Sequence, residues 1–378
     1  MKTRLALILM LMIVLPAIAG AEEAWLRAEL IRGIDLIYNA RISEGERVFA
    51  AIERKAPANP APFIYRAMAL MSYPPREGMA GIDRALIERL LHKGIALAEG
   101  GLWETDTGRV KLLTATAYSL LGQLYLEQHD YLKASRAAVT GKRYLDEAER
   151  ISPDDPDVRY GVGLLSYGVA EMPEPARLVL SVLSIPGDKE RGIEDLKAAA
   201  EHGVYTKASA EVALLMITAN IEDRYGDAVV YGRRLIARYP DNPELYFPFA
   251  NALSETGDFD GARAVAAALK WKMDEGLPYF DGAIVARYHH LRGKLLMDEG
   301  RYNEADVELK QALVVDDENY AWVRPLALAR LGMIEDASGR RGNAIGYYRR
   351  AIDTRIEGAG VILAGKYLEQ PYRPNSGK

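Results

Sequence analysis

The chain has 378 residues, of which 49% are hydrophobic and 27% charged, so it can bury a large core and is not a disordered polymer. Its 48 Lys and Arg residues are outnumbered by 53 Asp and Glu residues, and the net charge of −5 removes the bulk attraction to phosphate that a general nucleic-acid binder needs. Cysteine is absent, which excludes disulfides, thiolate–metal sites, a cysteine nucleophile and a lipid anchor on an N-terminal cysteine. We therefore expect a folded protein that does not bind nucleic acid.

Residues 1–21 have the pattern of a secretory signal peptide. A basic start and an eleven-residue apolar run at 5–15 precede small residues, and cleavage after Ala19 or after Ala21 fits equally well. The alternative is a retained membrane anchor, but the run is shorter than the roughly 20 residues that span a bilayer. We expect an exported chain in the bacterial periplasm, with no transmembrane segment in the mature protein.

From residue 22 onward, apolar residues recur at the spacing of α-helices. Short clusters rich in Gly, Pro, Asn and Asp interrupt this pattern, such as Ala58-Asn59-Pro60 and Tyr239-Pro240-Asp241. Pro blocks the continuation of a helix, and Asp or Asn can cap the start of the next one. The body is therefore predicted to be all-α.

A four-residue pattern that ends in Ala repeats along the second half of the chain. It occurs at Tyr225-Gly226-Asp227-Ala228, Phe259-Asp260-Gly261-Ala262, Tyr302-Asn303-Glu304-Ala305 and Arg341-Gly342-Asn343-Ala344, in steps of 34, 43 and 39 residues. The last three copies follow a turn that carries Gly, which supplies the left-handed backbone that ends a helix. This pattern predicts helices paired in antiparallel hairpins.

The sequence resembles the tetratricopeptide repeat family, whose 34-residue unit contains W-x-x-L-G-x-x-Y, then A-x-x-x-F, then P. Tyr118-x-x-Leu121-Gly122-x-x-Tyr125 reproduces the first helix, and Leu328-x-x-Leu331-Gly332 with Ala344 and Tyr348 is a further copy. The resemblance implies a right-handed superhelical solenoid of antiparallel helix pairs over 22–355. The clearest repeats are predicted at 115–150, 209–242, 243–276, 286–319 and 325–355.

Three stretches depart from this pattern. Residues 73–110 match no repeat cleanly and are expected to form an irregular insert, which could contain longer helices, a decoration or a lid. Residues 356–378 are expected to form an irregular tail. Residues 160–192 weakly resemble eukaryotic tetratricopeptide proteins associated with the outer mitochondrial membrane, which suggests shared architecture and carries over no function.

Polar residues on the first helix of each pair are the candidate binding residues. In this family such positions line a concave face that fits an extended peptide or a partner helix. They are Gln123, Asn220, Asn251, Glu255, Arg287, His290 and Lys294. Asn can bond a peptide backbone, and Arg287 and Lys294 could receive a carboxylate. For each residue taken singly, an exposed polar side chain without a ligand remains an equal alternative.

The run at 176–185 is apolar nearly all round and flanked by Pro. It is either buried inside the solenoid or an exposed docking helix. In the second case Leu178, Leu180, Leu183 and Ile185 would touch a membrane surface or a partner protein. A peripheral contact with a membrane therefore stays open.

The sequence contains no phosphate-binding loop, zincin helix or nucleophile elbow. His289 and His290 are adjacent, so on a helix they point about 100° apart and cannot simply share one metal ion. We expect no catalytic residue, no metal site and no cofactor. An enzyme hidden in 73–110 or 156–206 lacks any supporting cluster of residues.

The main hypothesis is a non-enzymatic protein–protein interaction scaffold of the cell envelope, which binds a partner protein or peptide on its concave face. The alternative is a small-ligand or lipid-binding component of envelope transport. In that case the insertion from Trp271 to Phe280 and the apolar run would wall a pocket.

Overall fold

The computed structural model describes residues 23–72, 83–101, 107–174, 177, 187–315 and 320–374. These residues form α-helices joined by short connections, with no β-strand among them, and the predicted all-α fold of helix pairs is confirmed. The predicted signal peptide at 1–21 and the apolar residues Leu178, Leu180, Leu183 and Ile185 lie outside the described residues.

The helices are numbered here in chain order. They are α1 (23–38), α2 (Ile42–Lys55), α3 (Ala61–Ser72), α4 (Arg84–Glu99), α5 (Thr107–Glu127), α6 (Tyr131–Ile151), α7 (Pro156–Ala170), α8 (Lys189–His202), α9 (Lys207–Asn220), α10 (Tyr225–Arg238), α11 (Tyr246–Glu255), α12 (Phe259–Asp274), α13 (Ala283–Asp298), α14 (Tyr302–Ala312), α15 (Val323–Ala337), α16 (Arg341–Asp353) and α17 (Ala359–Glu369). A 3₁₀ turn, Pro243–Leu245, precedes α11.

The described helices belong to two compact units, one up to residue 214 and one from residue 215. In the first unit Ile64, Leu91 and Leu121 meet in a core between α3, α4 and α5. In the second unit the core continues from repeat to repeat, with residues such as Leu253 and Leu295 between α11 and α13. Each unit is therefore built from helices that bury their apolar faces against neighbours in sequence.

Glycine ends the first helix of several hairpins in the second unit. Gly257, Gly300 and Gly339 follow α11, α13 and α15 and have φ of 83°, 74° and 75°, which is the left-handed region. Asp258 then caps α12 by accepting a hydrogen bond from the backbone N–H of Gly261 at 2.8 Å. Connections this short make the two helices antiparallel neighbours.

Two segments expected to be irregular contain regular helices. The insert at 73–110 holds α4, whose Ile87 and Leu91 are fully buried in the core. The tail at 356–378 holds α17. The glycines in and around α17 lower the helix propensity of this segment. Gly360 is nevertheless needed there, because a Cβ would lie 2.6 Å from the backbone of Pro325.

The two ends of the insertion from Trp271 to Phe280 differ in exposure. Phe280 is buried in the core, with its ring edge-on to Tyr246 at 6.0 Å between centroids. Trp271 is 58% exposed on α12. The two aromatic side chains therefore lie in opposite environments.

Gly332 of α15 packs directly against the ring of Tyr348 on α16, and we expect Gly332→Ala to destabilise the second unit. A Cβ there would lie 2.4 Å from Cε1 of Tyr348, a fully buried ring that has no room to move. Overpacking of this kind costs about 1–3 kcal/mol, measurable by urea unfolding.

Gly346 in α16 offers the matched control for this substitution. It is exposed, and nothing would lie within 4 Å of an added Cβ. Gly346→Ala should therefore stabilise the unit slightly, because Ala is a better helix former than Gly by up to about 1 kcal/mol. Equal effects of the two substitutions would contradict the close approach.

Candidate partner-binding face

Two of the seven predicted binding residues stand apart from the rest. Gln123 is exposed on α5, and its amide donates to Glu127 one turn along at 3.3 Å. Asn220 is exposed at the end of α9, with its amide nitrogen 3.7 Å from the sulfur of Met216. Each of these two contacts stays within the residue's own helix.

The remaining five lie in the second unit on two successive first helices. They belong to a pattern of four positions that occurs on each of the two helices. These positions are spaced at 0, 3, 7 and 11 residues, which keeps side chains on one face of a helix. Around α11 these positions are Glu244, Phe247, Asn251 and Glu255, and 43 residues later on α13 they are Arg287, His290, Lys294 and Asp298. We call these eight residues, with Tyr320, Trp322 and Arg330 beside them, the first-helix face.

Arg287 lies at the centre of the first-helix face. Its guanidinium nitrogen donates to Oε1 of Glu244 at 2.5 Å. The guanidinium carbon is 3.9 Å from the ring centroid of Phe247 and 4.6 Å from that of Tyr320. The Tyr320 hydroxyl donates to the same Glu244 oxygen at 2.9 Å. One cation therefore ties α13 to α11 with its preceding turn and to the segment just ahead of α15, through aromatic and ionic contacts.

Lys294 makes the second link between α11 and α13. Its ammonium lies 2.7 Å from a carboxylate oxygen of Glu255 and 2.6 Å from one of Asp298. The Ser254 hydroxyl donates to the same Asp298 carboxylate at 2.6 Å. The lysine is thus held between two carboxylates of this chain.

His290 is neutral at neutral pH. Burial, together with the positive charges of Arg330, Arg287 and Lys294, holds the pKa of His290 well below its ordinary value. Its Nε2 accepts a hydrogen bond from Arg330 on α15, whereas the adjacent His289 contacts Glu308 of α14 at 2.7 Å. The two histidines therefore have separate partners.

The basic and acidic groups of the first-helix face are not equally exposed. The side chains of Arg287 and Lys294 are only 8% and 9% exposed, whereas those of Glu244 and Glu255 are 45% and 34% exposed. Trp322 is 40% exposed and lies edge-on to His290. Arg287 and Lys294, expected to receive a carboxylate from a partner, are already paired within this chain. The groups offered to solvent are carboxylates and an aromatic ring.

Glu244, Phe247, Tyr320 and Trp322 were missed from the sequence. Glu244 stands at the position equivalent to Arg287 one repeat earlier, and this offset of 43 residues was the available signal. Tyr320 and Trp322 lie just ahead of α15, where the repeat pattern assigns no role.

Among the described residues, no cluster of three or more His, Cys, Asp or Glu residues is suited to a metal ion. Within the same residues, every helix is too short or too polar to cross a membrane.

Two segments of the chain match family models described as tetratricopeptide repeat, at residues 219–273 and 286–319. The second match covers α13 and α14, and the first includes α10 and α11, so both contain residues of the first-helix face or its immediate neighbours.

Among curated proteins the chain is similar to cellulose synthase operon protein C of Pseudomonas fluorescens. The two are 25% identical over 329 residues, which make up 78% of this chain and 22% of that protein. The chain thus spans about a fifth of the length of this relative.

Solved structures with a similar fold include a tetratricopeptide repeat protein from Parabacteroides merdae and yeast Tom70. The first is 17% identical and has a TM-score of 0.35, with 82% of this chain and 99% of that chain covered. The second is 12% identical and has a TM-score of 0.31, with 88% of this chain and 86% of that chain covered.

Proposed function

We propose that this chain, which belongs to the tetratricopeptide repeat superfamily, is a non-enzymatic protein–protein interaction scaffold of the bacterial cell envelope. Proteins of this superfamily mediate protein–protein interaction. The partner is an envelope protein or peptide that binds the first-helix face. An envelope location is supported by the signal-peptide pattern and by the likeness to a protein named for a cellulose synthase operon.

The observation that carries the proposal is the network of contacts across three successive first helices. Arg287 and Lys294 are largely buried and pair with Glu244 and Glu255, and Arg287 also lies 5.7 Å from the ring centroid of Trp322. These exposed groups are therefore held in place before a partner arrives. Preorganised side chains lose less conformational freedom on binding, which favours affinity. An exposed, well-supported Trp is also the residue type most enriched in binding hot spots.

The test is affinity capture of the tagged mature protein from crosslinked envelope extract, beside a Trp322→Ala variant. Truncating Arg287 or Lys294 would remove a buried cation that links neighbouring helices and would confuse folding with binding. Trp322 forms T-shaped ring pairs with His290 and Tyr320, and the Arg287 guanidinium carbon lies 5.7 Å from its ring centroid. Its removal deletes that aromatic contact but neither partner of the Arg287–Glu244 hydrogen bond. We expect the captured partner to fall about tenfold or more.

Trp271→Ala is the matched control, because it removes a tryptophan that is 58% exposed on α12, away from the first-helix face. It should retain the partner at the parental level, with equal helicity in all three proteins. If Trp322→Ala captures the same proteins as the parent, the first-helix face is not the binding surface. Capture of lipid without protein by all three would favour the transport hypothesis.

A further inference from the structure

We infer that the partner presents basic side chains, Arg or Lys, to the first-helix face, where they pair with Glu244 and Glu255 beside Trp322. This inference rests on the proposed function and specifies the chemistry of its partner. The charge of the partner is then opposite to the one expected from the sequence, which predicted that Arg287 and Lys294 would receive a carboxylate.

The layering of charge across the face carries the argument. The cations Arg287 and Lys294 are buried beneath the carboxylates that neutralise them. An incoming carboxylate would meet the exposed Glu244 and Glu255 before it reached either cation, and like charges brought together disfavour binding. An incoming cation meets attraction at the same positions.

Each exposed carboxylate also keeps one oxygen for a new partner. On Glu244, Oε1 takes both the Arg287 and the Tyr320 hydrogen bonds. On Glu255, Oε1 takes Lys294. The Oε2 atoms of both residues have no hydrogen bond to any residue that the structure describes. Charge-assisted hydrogen bonds from a guanidinium or an ammonium to such oxygens are stronger than neutral ones.

Trp322 adds a second element of cation recognition. Its ring forms T-shaped pairs with Tyr320 at 6.3 Å and with His290 at 6.4 Å, and the Arg287 guanidinium carbon lies 5.7 Å from its centroid. The residue is still 40% exposed, so a partner's cation would use the exposed part of the ring. A cation over the face of Trp gains about 0.5–2 kcal/mol. Arg287 already shows this arrangement within the chain, since it contacts Phe247 and binds Glu244 at once.

The spacing of the two carboxylates suggests the spacing of the basic residues. Glu244 and Glu255 are eleven positions apart along α11 and the turn before it, which corresponds to about 16 Å. An extended chain covers that distance in about five residues. A partner segment with two basic residues five positions apart would reach both carboxylates.

The experiment uses the mature full-length protein labelled with ¹⁵N at tryptophan. The chain has four Trp residues, so the indole signal of Trp322 can be assigned by its loss in Trp322→Phe. The probe is a Gly/Ser peptide with Arg at positions five apart, and its counterpart carries Glu at the same positions. We expect the Arg peptide to shift the Trp322 indole saturably, with the effect weakened by salt, and the Glu peptide to leave it unchanged.

Glu255→Gln tests the role of the carboxylate, since Lys294 keeps its pair with Asp298. It should weaken binding of the Arg peptide about two- to fivefold. Glu275→Gln is the control with the same change in net charge, at an exposed position after α12. It should leave the affinity unchanged.

The inference would be overturned if the Glu peptide shifted the Trp322 indole signal, or if neither peptide shifted it at millimolar concentration. The scaffold proposal would stand in that case if envelope capture still depended on Trp322. If capture is independent of Trp322 while the Arg peptide still titrates its indole, the scaffold proposal fails and the preference for cations stands.

Discussion

Asp157→Ala is expected to lower the free energy of unfolding of the first unit by about 3–5 kcal/mol. Asp157 is 1% exposed, and a single carboxylate oxygen accepts hydrogen bonds from the backbone N–H groups of Val204, Tyr205 and Thr206 at 2.9, 3.0 and 3.0 Å. The same oxygen accepts the Thr206 hydroxyl at 2.7 Å. The second oxygen lies 3.3 Å from Arg109.

The substitution leaves three backbone donors and the Thr206 hydroxyl without this acceptor, whereas Arg109 keeps Asp155 at 3.0 Å. These donors lie in the connection between α8 and α9, so the start of α9 at Lys207 depends on a carboxylate at the start of α7. Buried donors without acceptors cost about 1–3 kcal/mol each, and the loop can recover part of that by relaxing toward water. The measurement is urea unfolding of the mature protein followed by helicity.

Asp154→Asn is the matched control, because Asp154 belongs to the same acidic turn but is exposed. It should change stability by no more than about 0.5 kcal/mol. If Asp157→Ala is no more destabilising than Asp154→Asn, the carboxylate does not hold the start of α9.

This acidic turn makes one local interaction that the sequence can predict and one long-range interaction that it cannot. Asp155 in this turn caps α7 by accepting a hydrogen bond from the N–H of Asp157 at 2.8 Å, in line with the expectation that Asp caps helices after the breaks in the apolar pattern. Capping is a local interaction, so spacing can reveal it. The partners of Asp157 lie 47 to 49 residues away, and no local pattern distinguishes this aspartate from its neighbours.

The first-helix face also has one property that the sequence predicts and one that it does not. Helical spacing placed Arg287, His290 and Lys294 on one face, because the period of a helix is a local property. The charge that this face presents depends on Glu244 and Glu255, which lie 43 and 39 residues before their cations. Packing between repeats decides which side chain of an ion pair is buried. The sequence alone therefore could not predict whether the exposed charge on this face is positive or negative.

The last helix was missed for a related reason. Glycines at 358, 360 and 365 lower the helix propensity of the segment, and the repeat pattern ends before it. What holds α17 is a set of contacts to α15 and α16. Arg341 donates to the backbone carbonyls of Tyr367 and Leu368 at 2.8 and 2.6 Å, which satisfies the exposed end of the helix.

Asp336 is the centre of this attachment, and Asp336→Ala is expected to release α17 from the second unit. One carboxylate oxygen accepts the Tyr348 hydroxyl and the backbone N–H of Tyr372, both at 2.9 Å, and pairs with Arg341 at the same distance. Burial and this hydrogen bond raise the pKa of Tyr348, so its hydroxyl stays protonated and needs an acceptor. Removing the buried carboxylate should cost about 3–5 kcal/mol.

Hydrogen exchange separates a local release from global unfolding. If Asp336 anchors the C-terminal segment, the amides of α17 should exchange much faster in Asp336→Ala, while those of α11 and α13 keep most of their protection. Asp353→Asn, at an exposed position in α16, should leave both groups at parental rates. Parental protection of α17 in Asp336→Ala would mean that apolar contacts such as those of Ala364 hold the helix without the carboxylate. Because α17 covers the apolar surface of the last repeat, its release should also make the protein more prone to associate at high concentration.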